Sequence, residues 1–310
     1  MPENKIYLPE GLRPRVLLTP ASLRSAMEEG TILEAPVERC DTQRTLHVNL
    51  GPMEGLIPRE EAVAPSISGS GRDIALLSRV GKCICFTVKE LCCDAKGAPY
   101  AVLSRREVQE KALTWLLETL KPGMVISCKV THLESFGVFL DIGCGVIAMM
   151  PIENISVSRI PHPSERFRIG QKILAAVAAV DTDQCRFTMT HKELLGTWME
   201  NASYFRAGET VQGTVRSIRD YGAFVELAPN LSGLADLREN VLEGDRVSVY
   251  IRSIRPERMK IKLQIIERLP PLPCPPPLRY QITDGCLEKW VYSPPGYVRT
   301  PIVTDFTLDS

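Results

Sequence analysis

Internal repetition constrains this chain more than any other property it has. The segment beginning Leu120-Lys-Pro-Gly and running through Phe136-Gly-Val-Phe-Leu-Asp-Ile-Gly matches the segment beginning Phe205-Arg-Ala-Gly and running through Tyr221-Gly-Ala-Phe-Val-Glu-Leu. Gly123 falls on Gly208, Phe136 on Tyr221, Gly137 on Gly222 and Phe139 on Phe224, all at one constant offset. A fixed offset over so many positions means duplicated structural units, so the fold must be a tandem array. A weaker third copy lies upstream, from Glu29-Gly-Thr-Ile through Leu46-His-Val-Asn-Leu-Gly. It keeps the punctuating Gly30 and Gly51 but has Arg44 and His47 where the other copies carry rings.

Within each copy, β-branched residues alternate with polar ones and glycines mark the turns, which is the pattern of short strands. In the middle copy strands are expected near 124–134, 136–142, 146–151, 171–180 and 186–191, with 152–169 as a long connection between the third and fourth. Five short strands in so few residues suit a small Greek-key barrel of the OB type. The chain is thus expected to be all-β: three tandem five-stranded OB-fold barrels, the first degenerate, joined by short α-helices and followed by a Pro-rich linker and a small C-terminal tail. The boundaries are an N-terminal extension over 1–26, repeats over 27–112, 120–198 and 205–267, a linker over 268–278 and a tail over 279–310.

Two segments after final barrel strands have helical character. Ser104 with Glu107, and Thr190 with Glu193, have the spacing of capping boxes ahead of apolar residues at helical intervals. Leu269-Pro-Pro-Leu-Pro-Cys-Pro-Pro-Pro-Leu can continue neither a ladder nor a helix, because proline lacks the amide donor, and reads as a polyproline spacer. Trp290 and Tyr292 flank a Pro-Pro-Gly turn in a tail expected to fold back as a hairpin, with a docking motif as the sharper alternative.

With 37 Lys+Arg against 37 Asp+Glu the formal charge is zero, which excludes a general polycationic coat and leaves room for a local basic face. The start, Met1-Pro-Glu-Asn-Lys-Ile-Tyr, lacks the pattern of a signal peptide, and the longest apolar run, Ile173 to Val180, has the length of a strand. A cytoplasmic protein without a membrane segment is expected. The 10 cysteines are scattered without a secretory context, which favours reduced thiols used as small apolar residues.

The aromatic-Gly-x-Phe box carries the functional signal. In a regular strand Phe139 and Asp141 face away from Val138, Leu140 and Ile142, so an aliphatic core leaves Phe139 outside. Phe136 joins it only if Gly137 carries a bulge or kink, and two rings then lie side by side as a platform for stacked bases. Tyr221 and Phe224 repeat the arrangement. The competing reading is that these rings fill the barrel ends.

The box, the glycine before strand one, Asp181 at the close of strand four and Arg186 with Thr188 on strand five resemble the RNA-binding repeat of the bacterial small-subunit ribosomal protein S-one family. The resemblance is strong over 120–198 and 205–267, weak over 27–112 and absent beyond 270. It implies single-stranded RNA as the ligand, a role in translation and the small ribosomal subunit as a partner. The alternative is a non-ribosomal adaptor or regulator of RNA processing, with the first repeat or the tail as the site of a protein partner. Two departures stand out: a histidine common on strand three of the family is Pro151 in the middle copy and Asp236 in the last, and the first copy lacks both rings.

Phosphate-binding candidates are Lys129 and Arg186 in the middle copy and Arg216, Arg219, Arg255, Arg258, Lys260 and Lys262 in the last. Alternation there is expected to put Met259, Ile261 and Leu263 on one face and Arg258, Lys260 and Lys262 on the other. No phosphate loop, His-Glu-x-x-His or Cys-x-x-Cys motif occurs, and Gly69-Ser-Gly-Arg is only a fragment of a Gly-rich loop. No enzyme activity, cofactor or metal is expected.

Overall fold

A computed structural model describes residues 7–14, 17–65, 76–271 and 277–307. Part of the expected polyproline spacer (272–276) and the Gly69-Ser-Gly-Arg fragment lie outside the described residues. The chain builds three closed five-stranded barrels. The first comprises β1 (Leu33–Cys40), β2 (Leu46–Asn49), β3 (Glu54–Ile57), β4 (Cys83–Cys93) and β5 (Pro99–Ser104). The second comprises β6 (Val125–Glu134), β7 (Gly137–Gly143), β8 (Val146–Pro151), β9 (Lys172–Asp181) and β10 (Arg186–Thr190). The third comprises β11 (Thr210–Arg219), β12 (Gly222–Ala228), β13 (Leu231–Ala235), β14 (Arg246–Arg255) and β15 (Lys260–Leu269). In each barrel the third strand pairs in parallel with the fifth, and all other printed pairings are antiparallel. This is the OB topology expected from the repeats. The second barrel's strands begin and end within a residue of their sequence-expected positions.

The chain divides into two compact units. The first takes Met1–Leu120, Leu140–Ala148 and Val180–Arg186. Its barrel core is built on Leu23, Val37, Leu46, Ile57, Phe86 and Leu103, with α1 (Pro20–Glu29) contributing Leu23. A second helix, α2 (Arg106–Thr119), follows β5. Ser104 accepts the Glu107 amide at 3.0 Å, but the Glu107 carboxylate turns to Thr87 at 3.1 Å, so only half of the expected capping box forms.

In this unit Asp141 is buried. Its carboxylate accepts three amides: that of Glu10, 131 residues away in sequence, at 2.8 Å, and those of Gly143 at 2.9 Å and Gly145 at 3.0 Å. Glu10 is itself paired with the buried Arg105 at 2.7 and 3.0 Å. Burial, then the Glu10 charge, pushes the Asp141 carboxyl up to about 7, against the pull of those amides. Between the ordinary carboxyl range and pH 7 the folded unit therefore holds a proton that the unfolded chain has released. The stabilisation is present below the ordinary Asp range and is lost as pH rises through 7. Amide hydrogen exchange around Gly143 and Gly145, corrected for intrinsic rate, is expected to show weaker protection at pH 7.5 than at pH 5.5. Asp141→Asn should abolish the difference, and a flat profile in the unsubstituted chain would refute the assignment.

The second unit takes Lys121–Phe139, Met149–Ala179 and Phe187–Ser310. The long connection after β8 is what ties the second barrel's portion of this unit to the third barrel. The Val157 amide donates to Asn230 Oδ1 at 3.0 Å, and the Ser158 and Ser232 hydroxyls meet at 2.8 Å. Beside them Arg166 donates to Glu226 at 2.5 Å, and Arg216 binds both Glu226 and Glu165 at 2.9 Å.

The segment expected to begin as a helix at Thr190 instead makes a 3-10 turn over Lys192–Leu195. The Thr190 hydroxyl donates to the buried Glu193 carboxylate at 2.6 Å rather than capping backbone. The short helix comes later as α3 (Trp198–Ala202), with its own capping box from Thr197 and Glu200. The tail does fold back as a hairpin, of β16 (Lys289–Val291) and β17 (Val303–Asp305). Trp290 and Tyr292 are buried in the core of the third barrel, while Tyr280 reaches the Leu174 amide at 3.2 Å and His191 Nε2 at 3.2 Å. His191 donates from Nδ1 to the Ile155 carbonyl at 2.9 Å, which leaves Nε2 to accept from Tyr280. Burial pushes this imidazole down to about 4. Stability from it is present above the usual His range and lost as pH falls through 4, opposite in sign to the Asp141 contribution.

Candidate nucleic-acid interface

The third barrel displays one continuous outward row. Ser217 on β11 faces Phe224 on β12, Phe224 faces Leu234 on β13, Leu234 faces Lys262 on β15, and Lys262 faces Ser253 on β14. Ala223 and Val225, the neighbours of Phe224, are buried, so strand alternation forces the Phe224 ring to the surface. Tyr221 stands in the turn just before β12, 69% exposed. The two rings meet edge to face, with centroids 6.2 Å apart and planes at 86°.

The second barrel repeats this pair: Phe136 is 52% exposed, Phe139 is half-buried, and their centroids are 6.1 Å apart at 88°. The two rings of each pair are thus neighbours and perpendicular. Phe136 sits in the turn ahead of β7, and the glycine is required because a Cβ there would lie 2.4 Å from the Met150 carbonyl oxygen. Gly222 meets the same restriction, 2.6 Å from the Ala235 oxygen with φ at 151°.

Of the candidate cations, Lys260 and Lys262 are exposed on alternate positions of β15, while the interleaved Ile261 and the following Leu263 are buried. Arg258 and Met259 do not extend that alternation, because they form the turn before the strand, with Met259 in the left-handed region at φ 49°. Arg255 ends β14 directly opposite Lys260. Arg219 is exposed at the end of β11, opposite Gly222. Asp236, which the sequence put in the position of a family histidine, carries its own counter-ion: Arg252 reaches it at 3.0 Å and also binds Gln264.

Arg216 is placed differently. Its guanidinium is committed to Glu226 and Glu165 in the enclosed network described above. Burial works against its charge, but the Glu226 hydrogen bond and the two carboxylates outweigh that and hold its pKa above the ordinary value. In the second barrel Lys129 is half-buried on β6 and Arg186 is exposed at the start of β10. The sequence did not single out Leu234, Glu226 or Arg166. Leu234 was accessible through the same alternation that exposed Phe224, whereas the partners of Arg166 and Glu226 are separated by a whole repeat.

The first barrel shows what replaces the rings. Arg39 faces His47 and His47 faces Leu56, the row that in the third barrel carries Phe224 and Leu234. His47 is 8% exposed, with Nδ1 at 2.6 Å from Glu54 and Nε2 at 3.2 Å from Asp41. The imidazole is enclosed by carboxylates and offers no open π-face. Its hydrogen bond holds the Glu54 carboxyl below the usual range.

Residues 119–192 match the protein family described as the S1 RNA binding domain. The chain is 33% identical over 187 residues to small ribosomal subunit protein bS1 of Leuconostoc lactis, covering 54% of this chain and 43% of that protein. It is also 33% identical over 185 residues to bS1 of Staphylococcus aureus strain COL, covering 54% of this chain and 47% of that protein. The chain thus spans a little under half the length of these relatives. Among solved structures, a multidomain protein with nucleic acid binding domains from Streptococcus pneumoniae aligns over 78% of this chain and 75% of its own, at 14% identity and a TM-score of 0.26.

Proposed function

We propose that this chain, which carries an S1-type RNA-binding domain at 119–192, is a non-enzymatic holder of single-stranded RNA that acts in translation, in contact with the small ribosomal subunit. The observation that carries the reading is the pair of perpendicular ring sets, each with one exposed and one half-buried ring, Phe136 with Phe139 and Tyr221 with Phe224. Every base has a π-face, so such rings capture unpaired nucleotides without regard to sequence. Because the two rings of a set lie at right angles, bases stacked on both are turned away from one another. RNA held this way cannot stack on itself, which suits a protein that traps open strands of messenger RNA. The candidate cations, Lys129 and Arg186 on one barrel and Arg219, Arg258, Lys260 and Lys262 on the other, supply contacts to phosphate. Arg216 is left out of that set because its charge is already used. The closed His47 network of the first barrel favours protein contact or spacing there rather than base stacking.

Fluorescence anisotropy with a single-stranded RNA and its duplex is expected to give at least tenfold tighter binding to the single strand. Equal affinities would remove the stacking mechanism. Sedimentation of the chain with ribosomal subunits tests the cellular setting: persistent absence from the small-subunit fraction would leave the adaptor reading in its place.

A further inference from the structure

The two ring platforms are alike, but their electrostatic surroundings are not. Equivalent positions follow from the backbone. The Gly123 amide donates to the Val177 carbonyl and the Gly208 amide to the Ile251 carbonyl, both at 2.8 Å, which matches β9 to β14. The parallel pairs Met149 with Thr188 and Leu234 with Lys262 match β10 to β15. The turns between these strands have one length and each holds a left-handed residue just before the last strand, Cys185 at φ 52° and Met259 at φ 49°. Arg252, Arg255, Lys260 and Lys262 of the third barrel therefore correspond to Ala178, Asp181, Arg186 and Thr188 of the second. From 255 to 262 four cations (Arg255, Arg258, Lys260, Lys262) less Glu257 give +3. From 181 to 188 one cation (Arg186) less Asp181 and Asp183 gives −1.

The third barrel's charges are not there to stabilise its sheet. Arg255 and Lys260 lie directly opposite on neighbouring strands, an arrangement that destabilises the pair. Among the described residues neither of them, nor Lys262, forms an ion pair with an acidic side chain. Lys262 follows Leu234 and Phe224 on the same row, so a phosphate at Lys262 belongs to a nucleotide whose base lies on the ring.

On the reading that both barrels bind RNA, we propose that they divide the ligand between them: the third barrel grips the phosphodiester backbone, and the second holds bases with little dependence on charge. Releasing one counterion per neutralised phosphate gives single-stranded binding a log-log salt slope of about −0.7 per contact. These four cations together with Arg219 then predict about −3.5 from the third barrel, with the second adding at most the contributions of Lys129 and Arg186.

The test is the affinity of the full chain for an unstructured RNA oligonucleotide between 50 and 200 mM salt, with thermal midpoints to confirm folding. Lys260→Gln combined with Lys262→Gln is expected to flatten the slope by about 1.4, so that raising salt over this range costs the variant about sevenfold less affinity than it costs the unsubstituted chain. Phe139→Ala is expected to lower affinity by a similar factor at every salt concentration, leaving the slope unchanged. Thr188→Lys, which installs the third barrel's charge in the second, should steepen the slope by about 0.7. An unchanged slope in the lysine variant, or a slope altered equally by removing Arg186, overturns the division of labour. Affinity unaffected by Phe139→Ala at all salts, with a normal slope, instead overturns the stacking reading and leaves the backbone grip standing.

Discussion

Replacing Phe139 and Phe224 together by alanine is expected to weaken single-stranded RNA binding by at least tenfold while leaving the protein folded. A base stacked on an aromatic side chain is worth about 1–3 kcal/mol, so the loss of one ring from each platform removes more than the 1.4 kcal/mol that corresponds to a factor of ten. Two linked barrels bind one strand with an effective concentration that amplifies each weak contact, so the double substitution should exceed either single one. Folding should survive because the core is built by the other side of each strand, by Val138 and Leu140 and by Ala223 and Val225, all buried. Phe139→Leu with Phe224→Leu is the control: it keeps the apolar bulk and lowers affinity nearly as far. Unchanged affinity with a lowered thermal midpoint would show that the rings are packing residues.

Glu226→Ala is expected to be the most damaging single substitution in the unit that contains the third barrel, by about 3–5 kcal/mol in denaturant unfolding. Its carboxylate is 7% exposed and holds two guanidinium groups, those of Arg166 and Arg216. Without it both positive charges face one another in an enclosed space. Arg166, whose pKa burial already lowers, has least to fall back on. Adding Arg166→Met to Glu226→Ala should recover part of the loss, since apolar side chains of similar volume often replace a buried ion pair at little cost. Arg252→Ala, at the exposed Asp236 pair, provides the contrast and should cost no more than about 1 kcal/mol. Equal midpoints for Glu226→Ala and Arg252→Ala would refute the claim that the network is desolvated.

The barrels were legible because OB strands announce themselves locally: alternation in Lys260 to Leu263 and in Val138 to Ile142 specifies one buried and one outward face without reference to anything distant. The same logic found Phe139 and Phe224. It failed at strand ends, where the chain leaves the pleat. Met259 adopts a left-handed turn, and Phe136 and Tyr221 sit in the turns ahead of their strands. It failed again for Arg216, whose neighbours in sequence give no hint that a carboxylate from the preceding repeat waits for it. Alternation reports which way a side chain points, and only tertiary structure reports what is there. The capping spacing at Thr190 and Glu193 was a real hydroxyl–carboxylate contact assigned to the wrong element, the true helix start being Thr197.

The returning tail also bears on how fast this protein becomes native. Tyr280 binds an amide 106 residues earlier in sequence, and Cys286 donates to a carbonyl 164 residues earlier. Closing such separations is slow compared with forming hairpins inside one barrel. Trp290 and Tyr292 belong to the third barrel's apolar core, so that barrel can assemble its strands early yet must wait for the tail to exclude water. Refolding should therefore be biphasic, with strand formation preceding a slower burial of Trp290 that tryptophan fluorescence follows and far-ultraviolet circular dichroism does not.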